Sequence, residues 1–289
     1  MMAKFSPKDV SVIIPTYNEE KDIRSCILSL KRQSHKNFEI TVVDDGSTDK
    51  TVEIIKEFKE VKIIMGQHKG PGFSRNLGAR YAKGNILIFI DADMTFEKRY
   101  IEELIRPIVE RNEIGTIHGQ EYASNSKNNL ARCWGKIRVN IREEVKEGVI
   151  FRAIKRDKFL ELGGFDPKYG YADDQTFFLK YGLKSLFVPT AICYHKNPDT
   201  LKEVYRQSRW IGSSLSYQYP IFKRNRLNLI ALSCLYLFFP AVYPALTLLR
   251  LIKRRDFGLF FYYWPFMAAR YFGTLNGLFN FIMLRKNIR

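Results

Sequence analysis

Short apolar runs alternate with helical spacings from Val10 to about Pro189. Ser11–Pro15 (SVIIP) reads as a buried strand, and Ile23, Cys26, Ile27 and Leu30 then recur on one helical face. Phe38–Asp44 (FEITVVD) predicts a second strand. After it, Val52, Ile55 and Phe58 share one side of a helix, while Glu53, Lys56, Glu57 and Lys59 fall elsewhere. Val61–Met65, a glycine-rich turn with its helix, and Asn85–Asp91 (NILIFID) continue the rhythm. Strand–helix alternation of this kind predicts an α/β domain with a mostly parallel sheet and helices on both faces. Such sheets bind ligands beyond the carboxyl ends of their strands. The unusual residues of this chain fall at those ends.

Composition narrows the class. At 289 residues the chain allows one large domain or two modest ones, and 46% apolar with 27% charged residues excludes wholesale disorder, collagen and a disulfide-stapled mini-protein. Cys26, Cys133, Cys193 and Cys234 lie far apart without CxxC spacing, which fits reduced thiols rather than a zinc ribbon or an oxidised framework. The N-terminus MMAKFSPKDV lacks an apolar h-region, so no export of the first part is expected. The net charge of +17 is unevenly spread: residues 1–200 carry +5, residues 201–289 carry +12. A basic tail that is also apolar points to an anionic membrane surface. Nucleic acid is not an expected partner, because the rest of the chain is nearly balanced and shows no RRM, KH or zinc signature.

Four constellations follow strand ends. Pro15-Thr16-Tyr17-Asn18-Glu19-Glu20 serves equally as turn and cap chemistry or as a loop whose Tyr17 ring holds a flat base. In Asp44-Asp45-Gly46-Ser47-Thr48-Asp49 the Asp-Gly pair is a hairpin signal, but the helical period of 52–58 argues against a hairpin. Ser47 or Thr48 is then the expected N-cap, and Asp45 is a spare carboxylate able to accept from a base N–H. Gly70-Pro71-Gly72-Phe73-Ser74-Arg75-Asn76-Leu77-Gly78 is glycine-rich at a helix start but has neither Walker A nor GxGxxG spacing, with Arg75 as a phosphate or base contact. Asp91-Ala92-Asp93 caps a very apolar strand, a costly arrangement unless donors or a cation compensate it. Two hard oxygen ligands on alternate residues suit Mg2+ or Mn2+ against a diphosphate. Further on, Gly163-Gly164-Phe165-Asp166 precedes Ala172-Asp173-Asp174-Gln175 at an expected helix start, where a carboxylate can act as a general base. His195, after the strand-like LFVPTAICY, reads as a core histidine or a further metal ligand.

Together and in order, VSVIIPTYNEE (10–20), VVDDGSTDKT (42–51), GPGFSRNLGA (70–79), IDAD (90–93), FLELGGFDPKYGYADD (159–174) and HKNPDTLKEVYRQSRWIG (195–212) resemble glycosyltransferase family 2, which has the GT-A fold. The resemblance covers about residues 9–215. It implies an inverting, metal-dependent enzyme moving a sugar from a nucleotide-diphosphate donor, a UDP- or GDP-sugar, to an acceptor. It also implies a GT-A catalytic domain over 1–220, with a nucleotide-binding half at about 9–95 and an acceptor half at about 96–220. Carried over by residue, Pro15, Tyr17, Glu19, Val43 and Asp45 line the nucleoside pocket and Arg75 faces the nucleotide. Asp91 and Asp93 meet ribose and metal-diphosphate, both as ligands of Mg2+ or Mn2+, with Asp93 the more direct of the two. His195 completes the metal shell. Asp174 is the catalytic base, with Asp173 standing where Glu is more usual. Gln207-Ser208-Arg209-Trp210 is one residue short of the QxxRW of processive synthases, so a single transfer is expected. The DAD form also looks like polyprenyl- or dolichyl-phosphate sugar synthases. Their phosphate acceptor needs no base, however, and the Asp173-Asp174 pair favours a hydroxyl of a glycan or lipid-linked glycan. A nucleotidyltransferase shares the need for a nucleotide pocket and carboxylates and differs in its products.

Residues 221–289 read as a basic, apolar, helical, membrane-associated segment. Leu227–Leu249 is a 23-residue run without charge, long enough to span, and contains Pro240 and Pro244. Phe257–Ala269 and Tyr271–Leu284 are uncharged runs separated by Arg270, and basic clusters at 223–226, 253–255 and 285–289 flank them. A spanning hairpin would expose the 253–255 cluster outside and leave Arg270 near mid-bilayer. An in-plane or re-entrant arrangement is therefore expected, on the cytoplasmic side of the cell membrane. Trp134, in an amphipathic stretch over 127–147, is expected in the core.

Overall fold

The computed structural model describes residues 9–140, 147–218 and 239–284. In chain order these form β1 (Val10–Thr16), α1 (Ile23–Lys31), β2 (Phe38–Asp44), α2 (Thr51–Lys56), β3 (Val61–Met65), α3 (Pro71–Tyr81), β4 (Ile86–Phe89) and β5 (Met94–Phe96). There follow α4 (Tyr100–Glu110), β6 (Gly115–Ala123), α5 (Asn129–Trp134), β7 (Ile137–Asn140), β8 (Glu147–Gly148), β9 (Ala153–Lys155) and α6 (Arg156–Glu161). A 3-10 stretch (Pro167–Gln175) leads to α7 (Thr176–Tyr181), β10 (Ser185–His195), α8 (Leu201–Gln218), α9 (Phe239–Arg254) and α10 (Phe260–Leu284).

The chain divides into two compact units. The first holds the described residues up to Ser124, together with Ile137–Pro167 and Asp174–His195. The second holds Asn125–Lys136, Lys168–Asp173 and the described residues from Lys196 on. Packing gathers α8 and α5 with the C-terminal helices, through a core that includes Cys133, Val204, Leu251, Tyr263 and Phe266.

In the first unit the strands run in the order β3-β2-β1-β4-β9-β6-β10-β5, with β7 beside β6 and β8 beside β10. The expected strands at 38–44 and 61–65 form with those bounds, and β1 and β4 extend or trim theirs by a residue or two. The β3-β2-β1-β4 half is parallel, as the pattern predicts. Beyond it the sheet is mixed: β9 runs antiparallel to β4 and β6, while β10 is parallel to β6 and antiparallel to β5. Alternation along β1 decides the two cores. Val12 and Ile14 face one side with the α1 positions Ile23, Cys26, Ile27 and Leu30 and the α4 positions Tyr100, Ile101, Leu104 and Ile108. Ile13 faces the other with Ala79 of α3, Phe89, Phe159, Phe165 and Phe177. Each Val, Ile, Leu or Phe among them contributes about 1.5–3 kcal/mol on burial.

Three local expectations are corrected. Helix α2 begins at Thr51 rather than behind a Ser47 or Thr48 cap, because their hydroxyls are turned to the β1 loop: Ser47 Oγ accepts from Asn18 N–H (2.9 Å) and Thr48 Oγ1 donates to Asn18 Oδ1 (3.4 Å). Asp49 accepts from Thr51 N–H instead, at 3.0 Å. Helix α5 ends at Trp134, where Gly135 takes φ 149°, and the chain re-enters the sheet as β7. Trp134 is half-buried, edge-on to Phe266 at 6.1 Å with Arg270 4.5 Å above its ring. Asp173 and Asp174 lie in the 3-10 stretch ahead of α7, not in its first turn. The three described cysteines, Cys26, Cys133 and Cys193, are unbridged and buried. No described helix is long and apolar enough to cross a membrane. Most of the Leu227–Leu249 run, and Cys234, lie outside the described residues.

Candidate active site

The loops after β1 and β2 are tied to each other. Asn18, at φ 56°, donates its N–H to Ser47 Oγ (2.9 Å), and Glu19 N–H donates to Thr51 Oγ1 (2.7 Å). Pro15 and Val43 are buried in the strands below. Tyr17 is 41% exposed, with its ring 4.5 Å from the His68 imidazole. Asp45 is buried beside them and accepts from Lys69 N–H (2.9 Å) and Gly70 N–H (2.7 Å). The spare carboxylate thus pins the glycine loop, which Gly70 (φ 105°) turns into α3. Tyr17, Asp45 and His68 form one group. Arg75, in the first turns of α3, is buried and turned to the end of β4 instead.

There the two carboxylates of Asp91-Ala92-Asp93 part company. Asp91 accepts from Arg75 Nη2 at 2.6 Å and from Arg152 Nη1 at 3.0 Å. Both arginines are buried. Burial alone would raise the Asp91 carboxyl, but the Arg152 and Arg75 charges overturn this and hold it far below the usual carboxylate range. Burial would likewise lower the Arg152 guanidinium, yet Asp91, Glu121 and Asp174 keep it raised and charged. Asp93, two residues on and 27% exposed at the side chain, faces His195 instead: Oδ1 stands 3.0 Å from Nε2.

His195 ends β10 and is held from behind. Its Nδ1 lies 2.7 Å from Glu121 Oε1, and the other oxygen of Glu121 lies 2.8 Å from His118 Nε2. His118 Nδ1 in turn meets the Tyr100 hydroxyl at 3.2 Å. Burial pushes the His118 imidazole below its ordinary value, against the opposing pull of Glu121. In the tautomer that donates Nδ1–H to Glu121, His195 turns its Nε2 lone pair toward Asp93, the arrangement that carboxylates impose on metal-ligating histidines. Donors in adjacent positions about 2.1 Å from an octahedral cation stand roughly 3 Å apart, so the Asp93–His195 pair fits a divalent ion such as Mg2+ or Mn2+. Asp91, committed to two arginines, is not part of that pair. His118, Glu121 and Cys193 also bring ligand-type atoms within 4.8 Å of one another, but inside the sheet.

Asp174 reaches this neighbourhood through its upstream motif. Phe165 of GGFD packs among Phe89 (4.9 Å), Phe159 (5.2 Å) and Phe177 (5.4 Å). The Asn76 side chain brackets Phe165, donating to its C=O at 2.7 Å and accepting from its N–H at 2.9 Å. Asp166 is tied to Thr176 Oγ1 (2.9 Å) and Lys180 (3.0 Å). The half-buried Asp174 carboxylate therefore stands on a fixed stretch, within electrostatic reach of Arg152. The sequence reading missed Arg152 and Glu121. Their only trace is a charge inside an apolar strand approach, VIFRAI, and an acid inside GTIHGQEYA.

A half-parallel sheet carrying acidic strand ends and an acidic 3-10 stretch is the plan of a GT-A α/β transferase domain. Two solved structures share the fold. One is S. aureus TarS 1–349 in complex with UDP-GlcNAc, with TM-score 0.56 and 18% identity over 94% of this chain and 91% of that one. The other is the mannosyltransferase PcManGT from Pyrobaculum calidifontis with GDP-Man and Mn2+, with TM-score 0.57 and 19% identity over 98% and 90%. The family model for glycosyl transferase family 2 matches residues 11–165, and the chain belongs to that family. Among curated relatives, it is 43% identical over 105 residues to glycosyltransferase GlyA of Streptococcus pneumoniae, covering 35% of this chain and 15% of GlyA. It is 27% identical over 259 residues to the probable glycosyltransferase YdaM of Bacillus subtilis, covering 80% of this chain and 61% of YdaM. The chain thus spans less than two thirds of either relative.

Proposed function

We propose that this site takes a nucleoside-diphosphate sugar and transfers its sugar, with inversion and once per encounter, to a hydroxyl of a glycan or lipid-linked glycan. The observation that carries the reading is the Asp93–His195 pair, partly open at the strand ends and braced by Glu121. The UDP-GlcNAc and GDP-Man in the fold relatives favour UDP or GDP in the donor, and the Mn2+ beside GDP-Man favours a divalent cation. Asp93 and His195 would hold that cation; when bound, it offsets the charge that gathers on a departing diphosphate. Tyr17 offers its exposed ring to the base, and Asp45 keeps the 69–70 backbone in place beside it. Asp174 takes the proton of the acceptor hydroxyl as the oxygen attacks the anomeric carbon opposite the leaving diphosphate. A single displacement needs a single base. A phosphate acceptor, as in polyprenyl-phosphate sugar synthases, is already ionised and would leave Asp174 without this task.

Calorimetry tests the donor assignment: UDP, GDP, dTDP and CMP are titrated with and without Mn2+, into wild type and Asp93→Ala. One diphosphate binding only with the metal, and not to the variant, is expected. Equal binding by Asp93→Ala would refute the assignment. Product analysis with the matching sugar nucleotide, using hydroxyl and lipid-phosphate acceptors, separates the two acceptor classes.

A further inference from the structure

The second unit contains a helix whose outward face is unlike an ordinary protein surface. Along α10 the exposed positions include Phe261, Trp264, Pro265, Ala268, Phe272 and Phe279. Their spacing of three, one, three, four and seven residues keeps them within one stripe of a 3.6-residue helix. The stripe runs roughly 27 Å at 1.5 Å per residue. Asn276 is its only polar exposed member, and it holds no charge. Phe261 is 81% exposed and Phe272 and Phe279 are each 60% exposed, so the aromatic rings themselves stand in solvent. Leu249, Ile252 and Phe257, on α9 and the turn after it, are also more than half exposed.

The opposite face of α10 is fully engaged. A Cβ on Gly273 would stand 2.5 Å from the Tyr205 carbonyl oxygen, and one on Gly277 only 1.9 Å from that of Arg209. Helix α8 is therefore packed backbone to backbone against this side, and Tyr263, Phe266 and Leu278 are buried there. Arg270 is on this inner side too, over the Trp134 ring at 4.5 Å. The helix is fixed along its length by the unit it belongs to, with the apolar stripe outward.

We propose that this stripe is a membrane-docking surface: α10 lies in the plane of an anionic phospholipid bilayer, rings among the acyl chains, without crossing. Charge selects this occupant. Exposed Lys253 and Arg255 precede the helix, and the sequence places Arg285, Lys286 and Arg289 directly after it. The nearby acid Asp256 is paired with Arg132. Residues 201–289 carry 14 Lys and Arg against 2 acids. A second copy docking on the same stripe would bring these like charges together, whereas an anionic lipid surface compensates them. Aromatic side chains flanked by basic residues are the composition of interfacial helices. The proposal is independent of the donor and acceptor chemistry.

The test uses the full chain and flotation with phosphatidylcholine vesicles, with and without phosphatidylglycerol. Binding to the anionic vesicles only, weakening with salt, is expected. Phe261→Ser with Phe272→Ser should lower it at least tenfold, and Lys253→Glu or Arg255→Glu by about fivefold or more each. These positions are exposed, so circular dichroism and nucleotide binding should match wild type in every variant. Vesicles with brominated acyl chains should quench Trp264 fluorescence, comparing wild type with Trp264→Phe. Failure of the folded wild type to bind anionic vesicles overturns the proposal. So does binding that the Phe261 and Phe272 changes leave intact, which would assign attachment to another segment. Self-association abolished by those same changes, in the absence of lipid binding, would make the stripe a contact between copies and overturn it as well.

Discussion

Asp91 and Asp93 sit two residues apart in one motif, and replacing each with Asn should give opposite phenotypes. Asp91 is the shared counter-ion of Arg75 and Arg152, both buried, at 2.6 and 3.0 Å. Asp91→Asn leaves two buried guanidinium groups facing a neutral amide. Removing one partner of a buried ion pair costs about 3–5 kcal/mol. The Asp91 side chain is 25% exposed, so the lower end applies, about 3 kcal/mol. Asp93 is also partly exposed but faces the His195 imidazole rather than a buried arginine. Asp93→Asn should therefore cost about 1 kcal/mol or less in stability, while abolishing metal-dependent nucleotide binding. Urea unfolding at neutral pH measures the first quantity and calorimetry the second. The pH dependence supplies a second check. The folded Asp91 carboxyl lies far below its unfolded value of about 3.9, so the native state stays ionised where the unfolded chain takes up a proton. Its contribution is present above pH about 4 and is lost as pH falls below that. Asp91→Asn cannot titrate there, so the stability gap to wild type should narrow on acidification. Arg152→Met added to Asp91→Asn should recover part of the loss, because one of the two guanidinium groups left facing the amide is removed. An Asp91→Asn protein as stable as wild type at pH 7 would refute the reasoning, and so would a gap that does not change with pH.

Glu121→Gln keeps the shape of the group behind His195 but weakens its acceptor, and should raise the Mn2+ concentration needed for nucleotide binding by about 10–100-fold, read by calorimetry. Asp174→Asn should lower kcat by about 10²–10⁴-fold with donor affinity nearly unchanged; an unaltered kcat would favour an acceptor already ionised. Asn76→Ala removes both bonds to the Phe165 backbone and should cost about 1–3 kcal/mol in urea unfolding. Gly277→Ala places a methyl against the Arg209 carbonyl and should destabilise the α8–α10 pair by about 1–3 kcal/mol, seen as reduced helical signal on heating.

What could be read in the sequence is what local pattern controls. The short apolar run of SVIIP, the alternation that opens FEITVVD and the 3.6 period through Ile23–Leu30 specify strand and helix because these apolar positions must leave water. The order of motifs at strand ends was equally plain, since a parallel half-sheet must deliver its loops to one edge. Tertiary structure decided which chemical groups meet there. Nothing in the spacing of Asp91 and Asp93 says that one is neutralised by arginines 16 and 61 residues away while the other faces a histidine more than 100 residues on. Arg152 and Glu121 drew no attention as single charges in apolar surroundings, because their meaning lies in partners that only the crossing of β4, β9, β6 and β10 supplies. The C-terminal helices show the same limit. Composition displayed the basic and apolar character, but not that Arg270 turns inward onto Trp134 while Phe261, Phe272 and Phe279 turn out. That division is set by how closely α8 approaches Gly273 and Gly277, a property of two packed backbones and not of either sequence segment alone.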